Sequence, residues 1–463
     1  MHKATVQKVN MDNNQRSNIG YLGRASYSYD DRYFFTGSYR RDGASVFGVN
    51  QKWGDFFAFG GAWRLSSEKF MSSISYLDDL KLKVSWGKNG NQGLDPYGTL
   101  STINNGASGG VRYEFGGSDI IYGLNQKALG NADLGWETTE SWNTGFESAW
   151  LGSRLFVDLD LYFSKTTDQI FTRDIPVMTG FKNMKSSMGQ VNNRGVELTI
   201  RSVNINTQDW YWTTNLTFWL NRNKLVHLYG EDLNGDGKED DDISNSRFIG
   251  KPLGAIYGYQ QDGIVQETDI EYMKANGATP GIPKYKDMDN DGVITSADRV
   301  ILGYSTPNFK LNMSNTITYK NWDLYFMLTG TFGGGGYYQK SNKGAYLTNG
   351  SGRFNTNGIY IPWWTPENKS NEYPAATFND DGGRFLGLQN RAFVRLQDVT
   401  LSYTFREPWV QKVNIQNLKV FFTAKNLFTI TKWLGGDPEV GVTVSENTYP
   451  VLTSFSLGAN ISF

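Results

Sequence analysis

The chain has 463 residues, with 45 Lys and Arg against 46 Asp and Glu and no cysteine. This near-neutral balance gives no footing for a nucleic-acid partner, and the missing thiols exclude disulfides, thiolate metal sites and cysteine nucleophiles. Aromatic residues make up 15% of the chain although its mean hydropathy is −0.48. That combination suits strands that are apolar on one side only, with Trp and Tyr at membrane interfaces. No run of 18 apolar residues occurs, which excludes a helical membrane protein. Residues 1–16 lack an apolar core, so no signal peptide is expected in them.

Alternation of apolar and polar side chains predicts strands, in chain order, at 19–29, 32–41, 54–65, 80–91, 136–150, 154–166, 189–204 and 209–221. Five more follow at 309–319, 322–332, 392–405, 418–428 and 453–463. The strand at 392–405 changes phase near Gln397 and Asp398, which predicts a bulge. In the last strand Phe455, Leu457, Ala459, Ile461 and Phe463 alternate with small or polar residues. This is the pattern of a strand that crosses a bilayer and closes a barrel on a terminal aromatic residue.

The connections alternate in length. Short ones fall at 30–31, 66–79, 151–153, 205–208, 320–321 and 406–417; long ones at 42–53, 92–135, 167–188, 222–308, 333–391 and 429–452. A β-sandwich has no reason to place every long loop at one end, whereas outer-membrane barrels pair short periplasmic turns with long external loops. The expected fold is therefore all-β, an antiparallel transmembrane barrel with about thirteen strands in this chain. Residues 222–308 and 333–391 are its longest extracellular loops.

Several short motifs in a fixed order resemble the barrel of SusC/RagA-type TonB-dependent transporters. They begin with Tyr33-Phe34-Phe35, Arg40-Arg41-Asp42-Gly43-Ala44-Ser45 and the run from Lys81 to Gln92. Leu134-Gly135-Trp136-Glu137 and Asn192-Asn193-Arg194-Gly195-Val196-Glu197 follow. Trp364-Thr365-Pro366-Glu367-Asn368, Gln397 to Tyr403, Lys425-Asn426-Leu427-Phe428-Thr429 and Gly436-Asp437-Pro438-Glu439-Val440 complete the set. The resemblance implies a barrel of 22 strands, of which residues 1–463 supply the C-terminal part without the plug and the first strands. An odd strand count points the same way, since single-chain bacterial barrels close with even numbers. The resemblance also implies import of oligosaccharides or peptides across the outer membrane. A SusD-like surface lipoprotein would be the partner, with the TonB complex acting through a plug not present in this chain. A passive porin-like channel and a secreted all-β glycan-binding module are the alternatives.

One motif has the spacing of a cation site. Asp287, Asp289, Asp291, Val293 and Asp298 occupy positions 1, 3, 5, 7 and 12 of a calcium-loop pattern, with Gly292 at position 6. Oxygens on alternate residues of a tight loop converge on one hard cation, so a structural Ca2+ is expected, without flanking helices. A solvated Asp/Asn/Gly turn is the other reading. The acidic stretch 232–243 fails the pattern, with Ile243 in the closing position, and reads as a charged loop. With histidine only at His2 and His227, no metalloprotease pair or triad base exists and no enzyme is expected. In the longest loops Trp363, Trp364, Tyr346 and Tyr360 are candidates to stack on a substrate, meet a partner or pack the loop itself. The polar phase of the strands, including Asp158, Asp160, Glu197 and Arg201, is expected to line a lumen.

Overall fold

The computed structural model describes residues 13–105, 112–113, 121–122, 124–181, 183–336, 362–375, 378, 388–406, 408–412, 415–433, 437–439 and 451–463. Thirteen strands form one sheet in chain order. They are β1 (Asn18–Tyr29), β2 (Tyr33–Ala44), β3 (Trp53–Arg64), β4 (Leu77–Asn91), β5 (Glu137–Trp150), β6 (Leu155–Asp174) and β7 (Asn183–Asn206). Then come β8 (Trp210–His227), β9 (Pro307–Tyr319), β10 (Trp322–Gly333), β11 (Phe393–Phe405), β12 (Asn417–Thr431) and β13 (Ser454–Ser462). Every neighbouring pair is antiparallel, and among the described residues β1 pairs only with β2 and β13 only with β12. The sheet is thus a partial barrel with two open edges. Among the described residues no helix is long and apolar enough to cross a membrane.

Register makes the two faces chemically different. Leu82, Phe146, Leu159, Leu198, Phe218 and Leu311 stand opposite one another across six strands. One residue along, Lys83, Gly145, Asp160, Glu197, Trp219 and Lys310 form the matching row on the other face. Side chains alternate along a strand, so the first row belongs to lipid and the second to the lumen. The terminal strand obeys the same rule. Phe455, Leu457, Ala459 and Ile461 lie opposite Ala424, Phe422, Val420 and Leu418, while Phe463 follows the strand end and is exposed.

Turn chemistry sets the short ends. Asp30 and Asp31 both take left-handed φ values, 51° and 48°. They are the central pair of a β-turn closed by the Arg32 amide on the Tyr29 carbonyl at 3.0 Å, with Arg32 the third residue between the paired Tyr29 and Tyr33, and Asp tolerates this φ better than most residues. The predicted bulge is present at Gln397, where register slips between Leu396 and Asp398. One expectation needs correction. The connection predicted as a loop at 167–188 is mostly strand, because β6 and β7 continue outward and leave only residues 175–182 between them. Irregularities between Thr166 and Ile170, with Asp168 at φ 58°, break the alternation there and hide the extension in the sequence.

Tight burial is found above the membrane. Phe47, Leu134, Trp136, Phe56 and Val46 pack where β2–β5 meet their external loops, and Phe171, Val191, Leu225 and Leu228 pack above β6–β8. These clusters hold the loops against the rim, a role the sheet itself does not supply. The two-faced wall is testable by substitution. Leu161→Arg, on the lipid face midway along β6, is expected to cost about 2–4 kcal/mol. Glu197→Gln on the lumen face is expected to change stability by less than about 0.5 kcal/mol. Urea unfolding in lipid vesicles measures both.

Candidate functional site

The external loop at residues 228–306 is built in two tied parts. In the first, Glu239 accepts hydrogen bonds from the amides of Leu228 and Gly230 at 2.7 Å each and lies 2.6 Å from His227 Nδ1. Burial pushes the Glu239 carboxyl up, but the Gly230 and Leu228 amides and His227 outweigh it and hold it below the ordinary range. Arg247 is paired with Asp242 at 3.2 Å, and Arg173 at the far end of β6 is paired with Glu231. The acidic stretch 232–240 is self-satisfied: Asp232 accepts from the amides of Gly235, Asp236 and Gly237. It is a structured turn.

The second part carries the Asp-rich motif. Carboxylate oxygens of Asp287, Asp289 and Asp291 lie within 4.8 Å of one another. Asp287 accepts from the amides of Asn290 and Gly292, and Gly292 takes φ 88°, which a side chain would strain. Asp298 is placed differently from the other three acids. Its carboxylate is fully buried and accepts from the amides of Met288 and Thr295 at 2.7 Å each, strapping the two ends of the loop together. These amides, Thr295 first, hold the Asp298 carboxyl below the ordinary range against the cost of burial. At Asp289 the amide of Asp291 pulls the other way, but desolvation and the carboxyls of Asp291, Asp287 and Asp298 prevail and raise it. A short helix α1 (Ile270–Asn276), set apart from Asp287 by ten residues, supports the motif, with Asn276 accepting from the Ile294 amide at 2.6 Å. Gly277 stops that helix in the left-handed C-cap position.

The two longest loops interlock. Trp364 is buried, and its indole Nε1 donates to Gln266 Oε1 at 2.9 Å. Gln266 Nε2 in turn donates to the Ser370 carbonyl, and Asn371 accepts from the Ile264 amide at 3.0 Å. Backbone bonds from Ala375 N to Gly281 O and from Gly281 N to Val265 O complete the seam. Trp364 is therefore a packing residue and has no face free for a ligand. Trp363 is half-buried, and its carbonyl accepts from Asn368. Tyr346 and Tyr360 lie outside the described residues.

Two features went unrecognised in the sequence. Arg395 on β11 is buried and pairs with Asp437 at 3.0 Å and with Glu439, while Arg391 donates to the carbonyls of Pro438 and Glu439 at 2.8 Å. The last external loop is thereby clamped to the wall. The Gly-Asp-Pro-Glu run was visible, but its arginine partners are about 40 positions away. On the lumen face Lys83 bridges Asp158 at 2.8 Å and Asp160 at 2.9 Å, with Glu147 at 3.4 Å. A strand alignment in register was needed to see that cluster.

Two measurements test this arrangement. Trp364→Ala is expected to cost about 3–5 kcal/mol locally, freeing both loops to proteolysis together, whereas Trp364→Phe keeps most of the packing and loses only the Gln266 bond. For the Asp298 strap the folded carboxyl lies below its unfolded value. Its contribution is therefore complete above the ordinary carboxylate range and is lost as pH falls through the lowered folded value. Amide protection at Met288 and Thr295, corrected for intrinsic exchange, is expected to fall in that acid window and to be missing at neutral pH in Asp298→Ala.

Comparisons with known proteins agree with the wall described above. A family model described as TonB dependent receptor-like, beta-barrel matches residues 4–427. TonB-dependent receptor P3 of Formosa agariphila is 29% identical across 97% of this chain and 46% of its own length. TonB-dependent receptor SusC of Bacteroides thetaiotaomicron is 30% identical across 100% of this chain and 45% of its own. The chain thus spans about half the length of the curated relatives it matches. Among solved structures, the RagAB peptide importer in an open-open state aligns with a TM-score of 0.78 at 23% identity, over 97% of this chain and 47% of that one. That likeness establishes the fold. With the family match spanning nearly the whole two-faced wall, the chain belongs to the β-barrel family of TonB-dependent receptors, proteins of the bacterial outer membrane.

Proposed function

We propose that this chain supplies the wall and external loops of a SusC-like importer that moves oligosaccharides or peptides across the outer membrane. In that reading a SusD-like lipoprotein covers the loops, and the TonB complex drives transport through a plug held inside the completed barrel. The observation that carries the proposal is the external architecture. Loops at 228–306 and 362–375 are folded and mutually hydrogen-bonded, and the first packs on the rim, which suits a surface that docks a partner. The relatives named TonB-dependent receptor SusC and the RagAB peptide importer lend support to the same class. The lumen row of Lys83, Asp160, Glu197 and Lys310 provides a hydrated path for polar cargo.

Within this function we assign the trio Asp287, Asp289 and Asp291, with the Val293 carbonyl, to a structural Ca2+. Its support is the convergence of three carboxylates and the raised Asp289 carboxyl, since a bound cation would relieve the crowding. Asp298 would act by holding the loop closed around the ion. No catalytic step is involved.

Uptake of labelled oligosaccharide and peptide pools by cells carrying the intact gene locus tests the transport reading. Loss of uptake on deleting either this gene or tonB is expected; uptake that persists without tonB would favour a passive channel. A chain that stays monomeric in water without detergent would point instead to a secreted glycan-binding module. Calorimetry on the whole detergent-solubilised chain is expected to show calcium binding that Asp287→Ala with Asp289→Ala abolishes, and equal heats in both proteins would end the metal assignment.

A further inference from the structure

Two successive rows on the lipid face break the rule that this face is apolar. The first reads Trp86, Trp142, Phe163, Arg194 and Arg222 across β4–β8, and the second reads Lys88, Glu140, Lys165, Asn192 and Lys224. Each residue stands directly opposite its neighbours in the row, with no register shift at these positions, so all ten share the face of Phe163. Arg194 and Arg222 are therefore like charges placed opposite each other, a pairing that destabilises a sheet unless something anionic lies between them. Five cations meet a single carboxylate, and Glu140 is already engaged by the indole of Trp86 at 2.8 Å.

The cations are not neutralised within the protein. Among the described residues Lys88, Lys165, Arg194, Arg222 and Lys224 form no ion pair. Arg222 alone has polar partners, the carbonyl oxygens of Asn221 and Asn308, which leave its charge uncompensated. Arg194, Arg222, Lys88 and Lys224 are exposed.

Their height identifies what they face. Lys165 lies ten residues beyond Leu155, the start of β6 at the periplasmic turn. At 3.3 Å per residue and a strand tilt of roughly 40°, that is about 25 Å, the depth of the apolar band. Phe163, which stands opposite Arg194, lies eight residues beyond Leu155, at about 20 Å by the same measure, so the two rows sit at the top of that band. The rows thus mark the outer-leaflet boundary. Immediately below them the row reads Val84, Thr144, Leu161, Val196 and Leu220, apolar but for one threonine. Beside Trp86 and Trp142 a groove of about 610 Å³ opens over Gly37 and Gly61, walled by Phe35 and Phe59.

We propose that Arg194 and Arg222, with Lys165, Lys224 and Lys88 around them, bind the phosphate-bearing headgroup of an outer-leaflet lipid whose acyl chains lie on the apolar face beneath. Charge complementarity selects the headgroup, and guanidinium pairs suit phosphate geometry. The level of the rows selects a lipid over a soluble anion, since the same face continues straight into hydrocarbon. This assignment stands apart from the identity of any transported cargo.

Native mass spectrometry of the whole chain in mild detergent tests it, with phosphatidic acid as the phosphate probe and phosphatidylcholine as the zwitterionic control. The unaltered chain is expected to retain phosphatidic acid at least tenfold more than phosphatidylcholine. R194Q/R222Q is expected to abolish that preference, and R194K/R222K to keep part of it. Should the glutamine variant fail to assemble, a salt titration of the unaltered chain reads the same contact, because only the phosphatidic acid complex should weaken as ionic strength rises. Equal retention of both lipids, retention unaffected by the substitutions or by salt, displacement by equimolar inorganic phosphate, or a second copy of the chain held in place of lipid would each overturn the proposal.

Discussion

A backbone amide or carbonyl without a partner costs several kcal/mol in hydrocarbon, so a membrane-spanning sheet must pair every strand along its length. That requirement governs everything else in this chain. It makes strands of 12 residues or more out of β1–β4, fixes one register for each pair, and through register decides which side chains meet lipid. A slip of one residue on β6 would carry Asp158 and Asp160 into the bilayer and Leu159 and Leu161 into the lumen. The tight turn at Asp30 and Asp31 and the bulge at Gln397 are the local devices that keep such slips from occurring.

The wall obtains little stability from a hydrophobic core of the usual kind. Its side chains reach lipid on one face and water on the other, and most of the fully buried groups sit in the loops or at the strand ends beside them. The external parts behave as a small globular layer attached to the rim. Arg395 with Asp437, Glu239 with the amides around His227, and Trp364 with Gln266 each join a loop to the wall or to another loop. These contacts lie outside the hydrocarbon, where water competes and geometry must be good to matter. Glu239 also satisfies the backbone amides of Leu228 and Gly230, which the loop would otherwise leave unpaired.

The strands were legible because a two-residue period survives in sequence wherever one face is lipid and the other is water. All thirteen appear where alternation places them, with ends displaced by a few residues at most except on β6–β8, which run on past the membrane. Above the bilayer both faces of a strand meet water or loop, the period fades, and residues 167–174 and 183–188 looked like loop for that reason. The acidic motif was legible as a spacing, and three of its carboxylates do converge. The full burial of Asp298 beside Asp287, with two amides strapped to its carboxylate, was not, since an acid at that position shows only its spacing in the sequence. Long-range partners such as Arg395 and Asp437, or Trp364 and Gln266, leave no local trace in a single sequence at all.

The seam between residues 261–285 and 362–375 has a consequence for how the outer surface responds to perturbation. Because Trp364, Gln266, Asn371 and Gly281 share one set of bonds, neither segment has an independent folding free energy. Losing any one of them removes most of what the others contribute, so paired substitutions across the seam are sub-additive in their cost. A ligand or partner that touches only one segment therefore shifts the order of both. Two stretches of chain about 100 residues apart in sequence form a single thermodynamic unit on the cell surface.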